Sequence, residues 1–246
     1  MKGSYLGPEY SRAEITERLT RCGAVFEMHP DAAVIEQAAQ ALAAGKALGW
    51  MHGRMEFGPR ALGARSIIAD ARSEGMQKLL NLKVKYRESF RPFAPSVLRE
   101  DVAQWFEMDA DSPYMLLVAD VAKRQQRVMT AAEQALFGID KLNVPRSSIP
   151  AVTHVDYTAR VQTVHRDTNP RYHQLIARFK ELTGCPVIVN TSFNVRGEPI
   201  VCSPEDAFRC FMGTELDMLV VGDAVLHKAA QSPAARADYK SMYELD

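Results

Sequence analysis

Apolar positions follow two spacings along this chain, a helical one and a strand one, and stretches of each take turns from end to end. That alternation predicts an α/β fold. Residues 11–19 carry the helical period, with Ser11 placed to cap and Glu14 three residues on, the spacing of a capping box. Residues 31–44 predict a longer helix, with Asp31 as its cap, alanine through its interior and Gly45 as its stop. Residues 47–51 read as a strand running into a Gly- and Arg-rich loop, and 66–69 as a second short strand. A helix over 73–82, a strand over 95–98, a helix over 100–106 and a strand of the buried type over 114–121 follow. The polar stretch 123–148 reads as irregular or partly helical, an insertion or flexible cover. Alternation returns at 160–164, and 170–183 predicts a helix with proline in its first turn and Gly184 as its stop. The β-branched run 186–190 predicts a buried strand. Ser203 caps a helix through Met212 that has Pro204 at its first position and Glu205 and Asp206 in its first turn. A closing strand pair, 218–221 and 224–227, turns around Gly222 and Asp223. The sequence after Lys228 is polar and reads as a frayed tail.

Composition narrows this little, except in how charge is distributed. The 246 residues suffice for one large domain or two small ones. Thirty basic and thirty acidic side chains give no net charge, so the total favours neither a nucleic-acid polyanion nor an anionic membrane. Between Arg54 and Arg91, however, nine basic residues face four acids, Glu56, Asp70, Glu74 and Glu88. A local cationic excess in a neutral chain suits a small anionic ligand. The four cysteines, at 22, 185, 202 and 210, form no C-x-x-C pair. That spacing argues against structural zinc or a disulfide framework, and the expectation is reduced thiols in the cytoplasm. No signal-peptide pattern opens the sequence and no run of about 18 apolar residues occurs in it.

Three stretches carry candidate chemistry. Residues 52–66 hold Gly53, Gly58 and Gly63 with Arg54, Arg60 and Arg65, and Glu56 as a possible orienter of one of them. Glycines let backbone N–H groups approach an anion, and guanidinium forks match phosphate or carboxylate. The alternative is a surface turn with solvated charges. In 81–95, Lys85 and Arg91 can both point at phosphates from a helix end and the turn after it. A basic helix C-terminus favoured by the macrodipole explains Lys83 and Lys85 equally well. It does not explain Arg91, between Phe90 and Pro92-Phe93. In 187–199 a buried strand ends in Asn190, Thr191, Ser192 and Asn194, which suit phosphate, ribose or base edges beyond a strand C-terminal end, or simply a turn. A weaker pair, His154 and Asp156, shares a face of an extended segment and suits acid–base work, Mg²⁺-phosphate or a local hydrogen bond. Walker, nucleophile-elbow and zincin motifs are missing, and Cys202 and Cys210 read as core or helix-face thiols.

Together these stretches resemble a known family. YLGPEYS at 5–11, HGRMEFGPRALGARSI at 52–67, KVKYRESFRPFAPSV at 83–97, THVDYTARVQTV at 153–164 and VIVNTSFNVRGEPIVCSPEDA at 187–207 are similar, in this order, to the C-terminal domain of O-carbamoyltransferases of the nodulation and antibiotic-tailoring type. The resemblance implies a YrdC-like fold, a twisted open mixed sheet flanked by helices, over residues 31–228. Residues 1–30 would be a linker or docking segment and 229–246 a polar tail. It implies formation of carbamoyl-adenylate from carbamoyl phosphate and ATP with Mg²⁺. The carbamoyl group would then pass to an acceptor hydroxyl on an N-terminal domain similar to the ASKHA-fold protein of tRNA threonylcarbamoylation. That domain would carry the family's metal site, so no residue of this chain is assigned to a metal. It is absent from the sequence, so complete transfer is expected to need it, for example as a separate partner subunit. By motif, Lys85, Arg91 and Arg160 carry over as catalytic, and Arg60, Arg65, Lys85, Arg91, Ser192 and Asn194 as nucleotide-binding. Ser192-Phe193-Asn194 matches the YrdC-like S-x-N signature, and Lys85-Tyr86-Arg87 fits its K-x-R by spacing, with Arg91 as the other choice for the arginine. The competing class is a non-catalytic nucleotide- or phosphate-binding module, or a subunit-docking domain. RNA binding is disfavoured by zero net charge and few clustered aromatics.

Overall fold

The computed structural model describes residues 4–233. Nine strands form one open mixed sheet: β1 (Glu27–Met28), β2 (Leu48–Met51), β3 (Arg65–Asp70), β4 (Ala94–Leu98), β5 (Leu117–Asp120), β6 (Thr158–Val164), β7 (Val187–Ser192), β8 (Met218–Val221) and β9 (Ala224–His227). Their order is β1-β9-β8-β2-β3-β7-β4-β6-β5. The β2–β8 and β4–β6 pairs are parallel and every other pair is antiparallel. Eight helices flank the sheet or lie in its connections: α1 (Arg12–Arg21), α2 (Asp31–Ala43), α3 (Met76–Lys83), α4 (Val102–Trp105), α5 (Ala131–Gln134), α6 (Gly138–Leu142), α7 (Pro170–Thr183) and α8 (Pro204–Gly213). The fold is α/β with an open mixed sheet flanked by helices, as the alternating periods imply.

Local chemistry sets most of these boundaries. Ser11 and Glu14 make a reciprocal capping box at α1, and Ser203 and Asp206 make one at α8 behind Pro204. Asn169 caps α7, and Gly184 ends it in the left-handed conformation at φ 76°. The interior is one large apolar cluster and a small second one of Leu62, Ala94 and Met115, and β2, β3, β4, β7 and β8 are buried along their whole length or nearly so. α2 and α7 pack on each other and on the central strands, while α1 rests on α8.

Four expectations change. Asp31 does not cap α2: Pro30 holds the cap position with no side-chain bond, and the Asp31 carboxylate lies 2.6 Å from Arg171 instead. β5 is shorter than expected and exposed, because it is the last strand of the sheet and has a neighbour on one side only. The segment before residue 31 is no linker within the described residues: Ile15 and Leu19 are buried in the core and Glu27–Met28 adds a strand beside β9. At the other end, Lys228–Ala230 forms a short 3-10 turn, and Gln231 bonds both backbone groups of Val25. The expected tail from 234 onward lies outside the described residues.

Candidate functional site

The loop after β2 is held from inside. Glu56 is buried, and its Oε1 accepts the backbone N–H groups of Leu62 (2.7 Å), Ala64 (2.6 Å) and Arg65 (3.2 Å). A carboxylate taking three backbone donors fixes the loop as a nest would, with the charge on the side chain. Glu56 therefore organises the loop, and among the described residues its hydrogen bonds run to backbone N–H groups and not to an arginine fork. Gly63 sits at φ 100° with Tyr172 packed where a Cβ would be. Its carbonyl accepts from Trp50 Nε1 at 3.1 Å, and its N–H donates to Ser66 Oγ at 3.0 Å. The loop so folded presents Pro59, Arg60 and Ala61 to a cavity of about 490 Å³.

That cavity lies over the C-terminal end of β7 and the N-terminal ends of β4 and β6. The rule that ligands sit beyond strand C-terminal ends thus holds for β7 alone, because β4 and β6 run the other way beside it. Arg60, Arg87, Arg91, Arg160, Asn190 and Ser192 line it, with His154, Thr191, Phe93 and Met115 among the remaining walls. A smaller cavity of about 150 Å³ continues it, sharing Arg87, Arg91 and Ser192 and adding Lys85, Asn194 and Arg196. Among the described residues no carboxylate lines either cavity.

The cations differ in how they are held. The Arg60 and Arg160 Nε atoms are both buried, and neither has a hydrogen-bond partner among the described residues. Burial lowers the Arg160 pKa from its ordinary value and the nearby Arg60 lowers it further. Arg87 is anchored, its Nε donating to Asn81 Oδ1 at 2.7 Å and its guanidinium lying 5.0 Å over the Phe93 ring. Burial, then Arg91, brings its pKa down to about 10. Lys85 is buried, and its Nζ donates to Ser192 O, to Ser192 Oγ at 3.3 Å, and to Asn194 O and Oδ1, each at 2.8 Å. Ser192 Oγ in turn donates to Asn194 Oδ1 at 2.7 Å. Burial pushes the Lys85 pKa down to about 7. Four oxygen acceptors around one Nζ suit the three donors of an ammonium. Lys85 thus ties the Ser192–Asn194 turn to the end of α3.

Of the residues singled out by sequence, Arg60, Arg91, Arg160 and Ser192 share the larger cavity, and Lys85 and Asn194 join Arg91 and Ser192 in the smaller. Arg91 is exposed, contrary to its apolar neighbours in sequence. Arg65 departs from its expected place. It is fully buried on another side of the loop, donating to the carbonyls of Ala64 (2.9 Å), Pro8 (3.0 Å) and Gly53 (3.1 Å), and it lines neither cavity. His154 and Asp156 are not on a strand face: both lie in a turn closed by the Tyr157 N–H donating to the His154 carbonyl at 3.1 Å, and Asp156 accepts from Thr158. Only His154 reaches the cavity. Arg87, the K-x-R arginine by spacing, stands in the site beside Arg91, its alternative. Arg196, for which the sequence offered no signal, stands in the smaller cavity too.

The arrangement is chemically suited to an anion. Several cations and, among the described residues, no carboxylate around a half-enclosed cavity focus positive potential inside a neutral protein. Unpaired guanidinium N–H groups at its wall are preoriented donors for phosphoryl or carbonyl oxygens. Among the described residues, no helix is long and apolar enough to cross a membrane, and no group of three His, Cys, Asp or Glu side chains is placed to hold a metal ion.

Comparison with known proteins matches residues 39–228 to the family described as carbamoyltransferase C-terminus. The chain is 57% identical over its whole length to an uncharacterized protein of Synechocystis sp., of which it covers 40%. It is 39% identical to nodulation protein NolO of Bradyrhizobium diazoefficiens, over 97% of this chain and 40% of that protein. To the 3'-hydroxymethylcephem-O-carbamoyltransferase of Streptomyces clavuligerus it is 37% identical, over 78% of this chain and 32% of that one. The chain thus spans well under half the length of these relatives. Full-length HypF in its phosphate- and nucleotide-bound form superposes with a TM-score of 0.46 and 18% identity over 82% of this chain and 22% of that one, a likeness too distant to bear on the site.

Proposed function

This chain belongs to the carbamoyltransferase C-terminus family, and from that premise we propose that its cleft activates carbamoyl phosphate with ATP to form carbamoyl-adenylate. The carbamoyl group then goes to an acceptor hydroxyl held by an N-terminal portion similar to the ASKHA-fold protein of tRNA threonylcarbamoylation, whether on the same polypeptide or a partner subunit. The single observation that carries this reading is the cleft lined by Arg60, Arg87, Arg91, Arg160 and Lys85 with no carboxylate among the described lining residues. A densely anionic ligand matches that lining, and a triphosphate beside an acyl phosphate is such a ligand.

The atoms balance as follows. Water takes the phosphoryl group of carbamoyl phosphate, releasing phosphate and carbamate. A carbamate oxygen attacks the α-phosphorus of ATP, the bond to the β-phosphate oxygen breaks, and pyrophosphate leaves. No protein nucleophile is required. The chain's part is to hold two anions together and to meet the charge that moves onto the leaving oxygens. Arg60 and Arg160 have Nε–H groups free for this, Arg87 is prepositioned by Asn81 and Phe93, and Lys85 sets the Ser192–Asn194 turn, from which Ser192 lines both cavities. Mg²⁺ would arrive on the triphosphate, since among the described residues the lining offers neutral oxygens such as Ser192 and Thr191 and no carboxylate. We place the reaction in the cytoplasm, where ATP is available and the four free cysteines stay reduced.

The test mixes the purified chain with ATP, Mg²⁺ and carbamoyl phosphate and follows pyrophosphate. Release that depends on carbamoyl phosphate and falls at least about tenfold in Arg160→Ala and in Lys85→Ala supports the reading, a loss of about 1.4 kcal/mol or more for each group. Nucleotide binding without release, even with the N-terminal portion of a relative supplied, would favour a non-catalytic binding module.

A further inference from the structure

The floor of the larger cavity holds a buried acceptor with nothing to accept from. Asn190 is 1% exposed, it lines the cavity, and its Oδ1 has no hydrogen-bond partner among the described residues. The amide cannot turn over to relieve this, because a chain of bonds fixes its direction. Gln162 Nε2 donates to the Leu62 carbonyl at 2.9 Å, so Gln162 Oε1 faces the other way. That oxygen accepts from Ser96 Oγ at 2.5 Å and from Asn190 Nδ2 at 2.7 Å. Ser96 accepts in turn from the Tyr172 hydroxyl at 3.0 Å. Asn190 Nδ2 spends its second proton on the Ala61 carbonyl at 3.1 Å. Both partners of Nδ2 are obligate acceptors, so a flipped amide would set oxygen against oxygen twice.

What lies across from this acceptor is a donor. Asn190 on β7 pairs with Ala94 on β4. The parallel register that sets Ser96 beside Gln162, carried two residues back, sets Ala94 beside Arg160. Asn190, Ala94 and Arg160 therefore form a row across three adjacent strands, with the outer two backbones about 10 Å apart at one strand spacing per step. Ala94 between them carries only a methyl group, packed with Leu62 and Met115, and all three residues of the row border the same cavity space. One side of that space offers the unpartnered Nε donor of Arg160, with that of Arg60 in the same cavity, and the other offers the unpartnered oxygen of Asn190.

We propose that Asn190 determines specificity for the carbamoyl group by accepting a hydrogen bond from its –NH₂ while a guanidinium takes the carbonyl oxygen. This rests on the functional reading above and deepens it. An acetyl group has the same shape with a methyl in place of the amine, and it would leave Asn190 Oδ1 buried and unpaired. A site built to hydrogen-bond an N–H rejects the analogue lacking it far better than an apolar pocket rejects a changed methylene.

The test uses two stable phosphonates that differ only there, phosphonoacetamide and acetonylphosphonate. They are titrated by calorimetry into the chain with Mg²⁺ and the β,γ-imido analogue of ATP. Wild type is expected to bind the amide at least about tenfold more tightly than the ketone. Asn190→Leu is expected to bind both with the affinity that wild type shows for the ketone. Equal binding of the two by wild type overturns the inference without any variant, so a misfolded Asn190→Leu does not shelter it. A preference that survives in Asn190→Leu also overturns it. Adenine carries an amine of similar chemistry, so the imido analogues of ATP and ITP are titrated too. If Asn190→Leu abolishes discrimination between those instead, the acceptor serves the base and the inference falls. Binding of neither phosphonate, with no pyrophosphate release, removes the functional reading and this inference together. Release that proceeds with either no amide preference or one indifferent to Asn190 removes the inference alone.

Discussion

Gly63→Ala places one methyl group where the site's supporting framework has no room. A Cβ built on Gly63 stands 2.6 Å from two Tyr172 ring carbons and closer still to a third. The backbone there is at φ 100°, a conformation that side chains with a Cβ rarely adopt. Neither partner is free to yield. Gly63 is bonded through its N–H to Ser66 and through its carbonyl to Trp50, and Tyr172 is fully buried with its hydroxyl on Ser96. Backbone strain costs about 1–3 kcal/mol and overpacking roughly another 1–3 kcal/mol. The middle of that range, about 4 kcal/mol, corresponds to a fall in Tm of roughly 8–16 °C for a chain of this size. Thermal melts followed by circular dichroism read it directly, beside Tyr172→Phe, which removes one hydrogen bond and should lower Tm by only about 2–4 °C. In a Tyr172→Leu background the ring is gone, and adding Gly63→Ala should then cost only the backbone part. A Gly63→Ala protein melting within about 3 °C of wild type would refute the account of how this loop is held.

Glu56→Leu strands three backbone N–H groups inside the loop, and at roughly 1–3 kcal/mol for each unsatisfied donor the loss should be at least about 3 kcal/mol, read as a lower urea midpoint. Lys85 predicts two pH dependences of opposite sign. Its folded pKa of about 7 lies below the ordinary lysine value, so the unfolded chain binds more protons between about pH 7 and 10, and stability of the ligand-free protein should rise with pH across that window. A bound polyphosphate favours the ammonium, so affinity for the imido analogue of ATP should fall between pH 7.5 and about 9; Lys85→Met should flatten both trends, in melts and in calorimetry, and wild-type affinity that rises over that window would contradict the assignment. Arg160→Ala should weaken binding of the same analogue by about 1–3 kcal/mol at low salt and reduce its salt dependence, measured by titration at two ionic strengths.

What sequence made legible was whatever local chemistry decides. Ser11 with Glu14 and Ser203 with Asp206 cap their helices as their spacing implied, because a cap is closed by residues three apart. Gly184 ends α7 for the same reason. The run at 114–121 reads as a buried strand from its apolar density and yet forms an exposed edge strand, because burial depends on sheet order, which no local window contains. Arginine destinations were legible only in part. Arg60 and Arg65 lie five residues apart in one loop, yet one faces the cavity and the other is swallowed by carbonyls from Pro8, Gly53 and Ala64. That difference comes from the N-terminal segment folding back over the loop, a contact far off in sequence. Asn190 had been readable as a polar group at a strand end. That its oxygen stays unpaired follows only from Gln162, Ser96 and Tyr172, brought together from three other elements.

The central claim is that the guanidinium groups of the cleft converge on one phosphorylated nucleotide. A crystal structure of the chain with Mg²⁺ and the imido analogue of ATP tests it most directly. The account predicts triphosphate oxygens within hydrogen-bond distance of Arg60 or Arg160 and of Arg87, with the Ser192–Asn194 turn still tied to Lys85. A nucleotide seated away from this cleft, or saturating nucleotide that leaves those guanidinium groups without a phosphate, would contradict it.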